Sequence, residues 1–127
     1  MNIVILMAGD GNRFRDVGYT VPKPLIQVKG KTILEWTTSS IPFIHHDGTG
    51  QKHKLFFAIR QEHDEKFQIK EHLNRIYGDD IEIVVFEHLT RGGLETALIS
   101  SNKLDEGDIL FLDSDNYYNG EFFETFL

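Results

Sequence analysis

The stretch Asn2-Ile3-Val4-Ile5-Leu6-Met7-Ala8-Gly9-Asp10-Gly11-Asn12-Arg13 opens the chain and decides its class. The run Asn2–Ala8 is apolar almost throughout and reads as a strand covered on both faces. A glycine-rich turn follows it directly, and open α/β sheets hold their ligands at such turns, outside the carboxyl ends of the strands. Further runs of the same kind stand at Lys54–Arg60, Ile81–Phe86 and Asp108–Asp113. Helical patterns separate them at about Thr32–Phe43, Glu62–Tyr77 and Gly93–Leu104, the first opening on a Thr32/Glu35 capping box and closing at Pro42. This alternation predicts βαβ units: a Rossmann-like three-layer α/β/α sandwich with a mostly parallel sheet, incomplete at its C-terminus. The segment His45–Lys54 is polar and reads as an exposed loop.

At 127 residues the chain suffices for one domain with a self-supporting core. It has no cysteine, which excludes disulfides and thiolate metal sites and points to a reducing compartment. No apolar stretch approaches the roughly 20 residues of a membrane span, and the N-terminus lacks the build of a signal peptide. Cytoplasm is the expected location. The net charge of −7 argues against a nucleic-acid partner. Charge is unevenly spread, however. Arg13, Arg15, Lys23, Lys29 and Lys31 face only Asp10 and Asp16 in residues 1–31, so a basic island sits on an acidic body. That distribution suits a small anionic ligand, although exposed basic residues solvating a loop would look the same.

Three glycine-loop chemistries compete for the first turn. The dinucleotide fingerprint needs a sixth-position glycine, where this chain has Phe14. A P-loop ending in Gly30-Lys31-Thr32 needs a glycine where Leu25 stands. The third is a loop that wraps a nucleoside triphosphate with backbone N–H groups. Gly9 and Gly11 would allow close approach and positive φ, Arg13 would add a fork for phosphate oxygens, and Pro22 and Pro24 would hold the Lys23 ammonium as a fixed charge.

These residues resemble the signature of the sugar-nucleotide pyrophosphorylase (nucleotidylyltransferase) superfamily, a strand followed by G-x-G-x-R and then P-K-P. Gly9-Asp10-Gly11-Asn12-Arg13 and Pro22-Lys23-Pro24 match in order and spacing. The wider wording, with Gly18-Tyr19, Leu25-Ile26, Gly30-Lys31 and Glu35-Trp36, is similar to bacterial capsule and surface-polysaccharide members. The resemblance implies nucleotide-binding roles for Ala8, Gly9, Gly11, Asn12, Arg13 and Lys23, with Arg13 and Lys23 catalytic. Asp10 departs from the small or apolar residue expected there, and its carboxylate would repel phosphate unless it turns outward or helps a metal.

The fourth strand ends in Asp113-Ser114-Asp115-Asn116. Paired carboxylates at the end of a central strand suggest a Mg²⁺ site, although an Asp/Ser/Asn turn explains the same residues. The resemblance favours Asp115 as the first metal ligand and Asp113 as the second. Thr90-Arg91-Gly92-Gly93-Leu94-Glu95-Thr96 resembles the family's second glycine loop, which reads the base and packs on the nucleoside, with Gly92 and Gly93 closest to it. Arg60-Gln61-Glu62-His63 receives no role beyond lining the cleft. The histidines, His45-His46 included, lack zinc-like spacing, and Ser39-Ser40 and Ser100-Ser101 lack a nucleophile elbow.

The implied reaction is Mg²⁺-dependent transfer of a nucleotidyl group from a nucleoside triphosphate to a phosphorylated acceptor, a sugar 1-phosphate or similar, with release of pyrophosphate. Two rivals stand beside it. One is a glycosyltransferase holding a metal and a nucleotide-sugar through Asp113-Ser114-Asp115; the other is a nucleotide-binding module without turnover. The second draws on the C-terminus. There Gly120-Glu121-Phe122-Phe123-Glu124-Thr125-Phe126-Leu127 reads as an apolar helix with nothing left to pack against. An exposed patch of three phenylalanines usually has a partner. The expectation is that residues 1–127 are the N-terminal, nucleotide-binding part of a longer protein, the alternative being a homo-oligomer contact through this segment.

Overall fold

Four strands form one parallel sheet in the computed structural model, which describes residues 1–44, 53–104 and 106–126, the side chains of Asn12 and Phe126 excepted. They are β1 (Asn2–Leu6), β4 (Lys54–Arg60), β5 (Glu82–Phe86) and β6 (Ile109–Asp113), in the order β5-β4-β1-β6. The strands pack because their apolar residues alternate between two cores. Ile3, Ile5, Leu55, Phe57 and Ile59 face one side. Val4, Phe56, Ala58, Val84 and Phe86 face the other. This is the expected α/β/α arrangement. The first core is closed by α2 (Ile33–Ser39), α4 (Ile69–Tyr77) and α6 (Gly120–Phe126), through Leu34, Ile69, Leu73, Tyr77 and Phe123. On the opposite side α5 (Gly93–Ser101) buries only Thr96 and Ser100, while Leu94 and Leu98 stay in solvent.

The order of strands positions the site. From β1 the chain moves outward to β4 and then β5, and α5 returns it to the far side of β1 as β6. The reversal lies between β1 and β6, and the crevice at such a switch point is where open sheets bind ligands. Register makes this concrete: Leu6 pairs with Asp113, so the turn after β1 and the turn after β6 leave the sheet side by side.

Several boundaries differ from expectation for identifiable reasons. The capping box is present: the Glu35 N–H donates to Thr32 Oγ1 at 3.1 Å, and the Thr32 N–H to Glu35 Oε1 at 3.3 Å. The predicted helix over Glu62–Tyr77 is instead two helices, α3 (Gln61–Phe67) and α4, broken at Gln68, whose φ is 51°. Only α4 is pinned by the core, through Ile69, Leu73 and Tyr77; α3 buries none of its residues and keeps its own direction. Two short elements were not expected, the single turn α1 (Asn12–Asp16) and an antiparallel ribbon of β2 (Gln27–Val28) and β3 (Lys31–Thr32). Lys29 and Gly30 both have positive φ and close that ribbon as a two-residue hairpin. The expected loop at His45–Lys54 lies, up to residue 52, outside the described residues, as do His45, His46 and Leu127.

The expectation that the last helix has nothing to pack against needs correction. Phe123 is 1% exposed and belongs to the first core. Its ring stands 5.3 Å from Phe43 and 5.7 Å from Tyr118, centroid to centroid. The segment therefore has something to pack against, and the expected patch shrinks to Phe122 among the described side chains.

Beneath α2 and α4 the Thr38 and Tyr77 hydroxyls share a hydrogen bond of 2.8 Å in full burial. Tyr77→Phe is expected to cost about 1 kcal/mol. Urea unfolding should show a lower midpoint with an unchanged slope.

Candidate functional site

Residues at the carboxyl ends of β1 and β6 and at the start of α5 enclose a cleft of about 350 Å³. Ala8, Gly9 and Gly11 line it from the first turn, Lys23 and Pro24 from below, Gly92 and Gly93 from the α5 entry, and Asp113 and Asp115 from the β6 turn. Eight of the predicted residues thus meet in one place. Arg13 stands beside it, in an adjoining hollow that also contains Phe14, Lys23 and Asp115. Asn12 opens α1, and its side chain lies outside the described residues.

The first turn is shaped by Gly11, whose φ of 66° is a conformation L-residues disfavour. Gly9 keeps negative φ, contrary to the expectation for both glycines; its value to the loop is the open space beside it. Gly11 starts α1, which carries Arg13 and Arg15 on one turn. Asp10 also lines the cleft, but its carboxylate is engaged by two arginines. Its Oδ2 accepts from Arg15 Nη2 and its Oδ1 from Arg60 Nη1, each at 3.2 Å. Desolvation alone would raise the Asp10 carboxyl, but the hydrogen bonds and charges of Arg15 and Arg60 hold it below the ordinary carboxylate value.

Lys23 begins a single 3₁₀ turn (Lys23–Leu25) between extended Pro22 and buried Pro24. Its ammonium pairs with the Asp115 carboxylate and lies 5.5 Å from the centre of the Phe14 ring. A cation and a carboxylate predicted separately, one for phosphate and one for a metal, are thus in contact. Asp113 accepts a hydrogen bond from Asn116 Nδ2 at 3.2 Å, so the turn reading holds for that contact while the residue still faces the cleft. The acidic turn is pinned from α2: Thr37 Oγ1 donates to the Ser114 carbonyl at 3.0 Å, and the Tyr118 N–H donates to Ser40 Oγ at 2.9 Å.

Among the described residues, no cluster of three or more His, Asp or Glu side chains stands ready to enclose a metal. The donor set nonetheless fits Mg²⁺, which is commonly held by one or two carboxylates together with substrate phosphates and water.

Sequence reasoning missed the residues that shape the loops. The Thr90 and Thr96 hydroxyls lie 2.6 Å apart and both reach the Gly92 carbonyl, so one can donate to that carbonyl while the other donates to its partner hydroxyl, fixing the second glycine loop. A Thr six residues from another gives no recognisable motif. Arg60 and Glu62 do not line the main cleft as expected; they stand behind the first loop, Arg60 gripping Asp10 and, at 2.9 Å, Glu62. His63 lies beside them, and burial first, then the Arg60 charge, push its imidazole below the ordinary value. No helix of the described residues is long and apolar enough to cross a membrane.

Comparison with known proteins bears on fold and family. The chain is 27% identical over 125 residues to the bifunctional protein GlmU of Methanococcus vannielii, covering 98% of this chain and 27% of that protein. The fold is similar to a nucleoside-diphosphate-sugar pyrophosphorylase from Vibrio cholerae, with TM-score 0.73 and 22% identity over 94% of this chain and 49% of the other. It is also similar to the inositol-1-phosphate CTP transferase of T. maritima, with TM-score 0.76 and 13% identity over 99% and 48%. The chain thus spans about a quarter of the curated relative and about half of each solved structure. The family model for nucleotidyl transferases matches residues 2–127, nearly the whole chain. With the G-x-G-x-R turn, the P-K-P lysine and the acidic turn gathered at one switch point, the chain belongs to the nucleotidyl transferase family.

Proposed function

We propose that the cleft binds a nucleoside triphosphate and that the protein transfers its nucleotidyl group to a phosphorylated acceptor, releasing pyrophosphate. The observation that carries this reading is the contact of Lys23 with Asp115 between two glycine loops. The nucleoside rests against Gly92 and Gly93, and the triphosphate runs along Gly9, Gly11, Asn12 and Arg13. An acceptor phosphate oxygen forms a bond to the α-phosphorus while the bond from that phosphorus to the bridging oxygen of pyrophosphate breaks. A phosphate nucleophile is already ionised near neutral pH, so no general base is needed. The chemical demand is to bring anions together, which Lys23 and Arg13 meet with charge and position. Asp115 and Asp113 would hold Mg²⁺, which supplies further charge neutralisation at the phosphates.

The acceptor class, a sugar 1-phosphate or similar ester, draws support from the Vibrio and T. maritima neighbours, whose names describe a pyrophosphorylase for nucleoside-diphosphate sugars and a CTP transferase for inositol 1-phosphate. Synthesis of surface-polysaccharide precursors in the cytoplasm is the setting we infer from the sequence wording around Pro22-Lys23-Pro24. The glycosyltransferase reading accounts for Asp113 and Asp115 but leaves the Lys23 and Arg13 arrangement without a purpose.

Titration with CTP, UTP, dTTP, GTP and ATP, with and without Mg²⁺, tests the proposal. One triphosphate should bind in a Mg²⁺-assisted manner, and Asp115→Asn should weaken that assisted binding by about tenfold or more. If no triphosphate binds, the reading is wrong. If one binds but sugar 1-phosphates elicit no pyrophosphate release, the chain is a binding module.

A further inference from the structure

We propose that Asp10 is a positioning residue, its carboxylate gripped by Arg15 and Arg60 so that the first glycine loop is held in its phosphate-receiving shape. The ligand in this inference rests on the function proposed above; the clamp itself rests on geometry alone. Asp10 lies between Gly9 and Gly11, where the backbone has least intrinsic stiffness. Asp10 lines the cleft, yet both its oxygens are taken up by guanidinium groups, one on the loop's own helix α1 and one at the end of β4. The second anchor matters most. Arg60 sits at the end of a strand buried along most of its length, and its side chain is only 13% exposed. Its other nitrogen is held by Glu62 at 2.9 Å, and Glu62 is held in turn by Lys66 at 2.9 Å. A charge chain of alternating sign thus ties a glycine turn to the rigid sheet, across 50 residues of sequence.

This arrangement makes a prediction opposite in sign to simple electrostatics. Removing a carboxylate from a phosphate-binding loop, with two arginines left behind, should tighten anion binding if charge alone acts. If the carboxylate shapes the loop, its removal lets the backbone N–H groups drift, and binding weakens.

Inorganic pyrophosphate with Mg²⁺ is the probe, because this product is common to every nucleobase. Asp10→Ala is expected to bind it about tenfold or more weakly. Amide hydrogen exchange should accelerate over residues 9–14 alone, with the melting temperature nearly unchanged. Arg60→Gln should reproduce both effects, and the double variant should be no worse than either single one, as expected of partners in one interaction. Equal or tighter pyrophosphate binding by Asp10→Ala overturns the proposal, as does unchanged exchange at residues 9–14. If the wild-type protein binds neither pyrophosphate nor any triphosphate, the functional reading and the phosphate-positioning role fall together. Faster exchange confined to residues 9–14 would then still establish the clamp as a structural device.

Discussion

Lys23→Ala is expected to slow nucleotidyl transfer by roughly 100- to 1000-fold, the scale on which removal of one preorganised charge-stabilising donor acts. The ammonium is held in place. Pro22 and Pro24 flank it, Pro24 is buried, and the group faces Asp115 on one side and the Phe14 ring on the other. Nothing in the core depends on it: the Lys23 and Asp115 side chains are 25% and 32% exposed, and such a partly solvated pair contributes at most about 1 kcal/mol to stability. Activity should therefore fall while folding persists, a separation that pyrophosphate release and urea unfolding on the same sample would read. Lys23→Arg should not restore the rate, because a planar guanidinium cannot occupy the place of a point charge between the carboxylate and the ring. A rate within about threefold of wild type for Lys23→Ala would make Lys23 a surface lysine between turn prolines.

Phe123→Ala is expected to destabilise the protein by about 3–5 kcal/mol. The ring is 1% exposed and meets Phe43, Tyr118 and Phe122 edge to face, so its loss opens a cavity that a sheet-backed core cannot readily close. The damage should reach the site. Tyr118 packs on Phe123, its hydroxyl accepts from the Asp113 N–H at 3.1 Å, and its own N–H donates to Ser40. The acidic turn would thus lose a support, and Mg²⁺-assisted triphosphate binding should weaken with stability. Phe122→Ser is the control. That ring is 58% exposed, and its substitution should change stability by no more than about 0.5 kcal/mol. Equal effects of the two variants would show that α6 does not belong to the core.

Much of this protein can be read locally. Apolar runs without alternation mark β1, β4, β5 and β6 because strands covered on both faces need no polar side. Thr32 and Glu35 mark a helix start because a capping box closes within one turn. Gly11, Arg13 and Lys23 stand out as candidates because a loop built to bind phosphate would need positive φ and charge within a short stretch of chain. All of these are demands that neighbouring residues satisfy among themselves.

Other features had no local signature. Asp10 reads as a liability in sequence, and one of the two arginines that engage it, Arg60, lies 50 residues away where no local pattern announces it. The Gln68 break, the packing of Phe123 and the Thr90–Thr96 hydroxyl pair likewise depend on what stands opposite in space. The sequence by itself determined the strands, the glycine turn after β1 and the charged candidates beside it. The tertiary structure alone decided that β6 returns to the side of β1, bringing Asp115 against Lys23. The reason is that propensity and patterning act over a few residues, whereas strand order is settled by which apolar faces the whole chain can bury together.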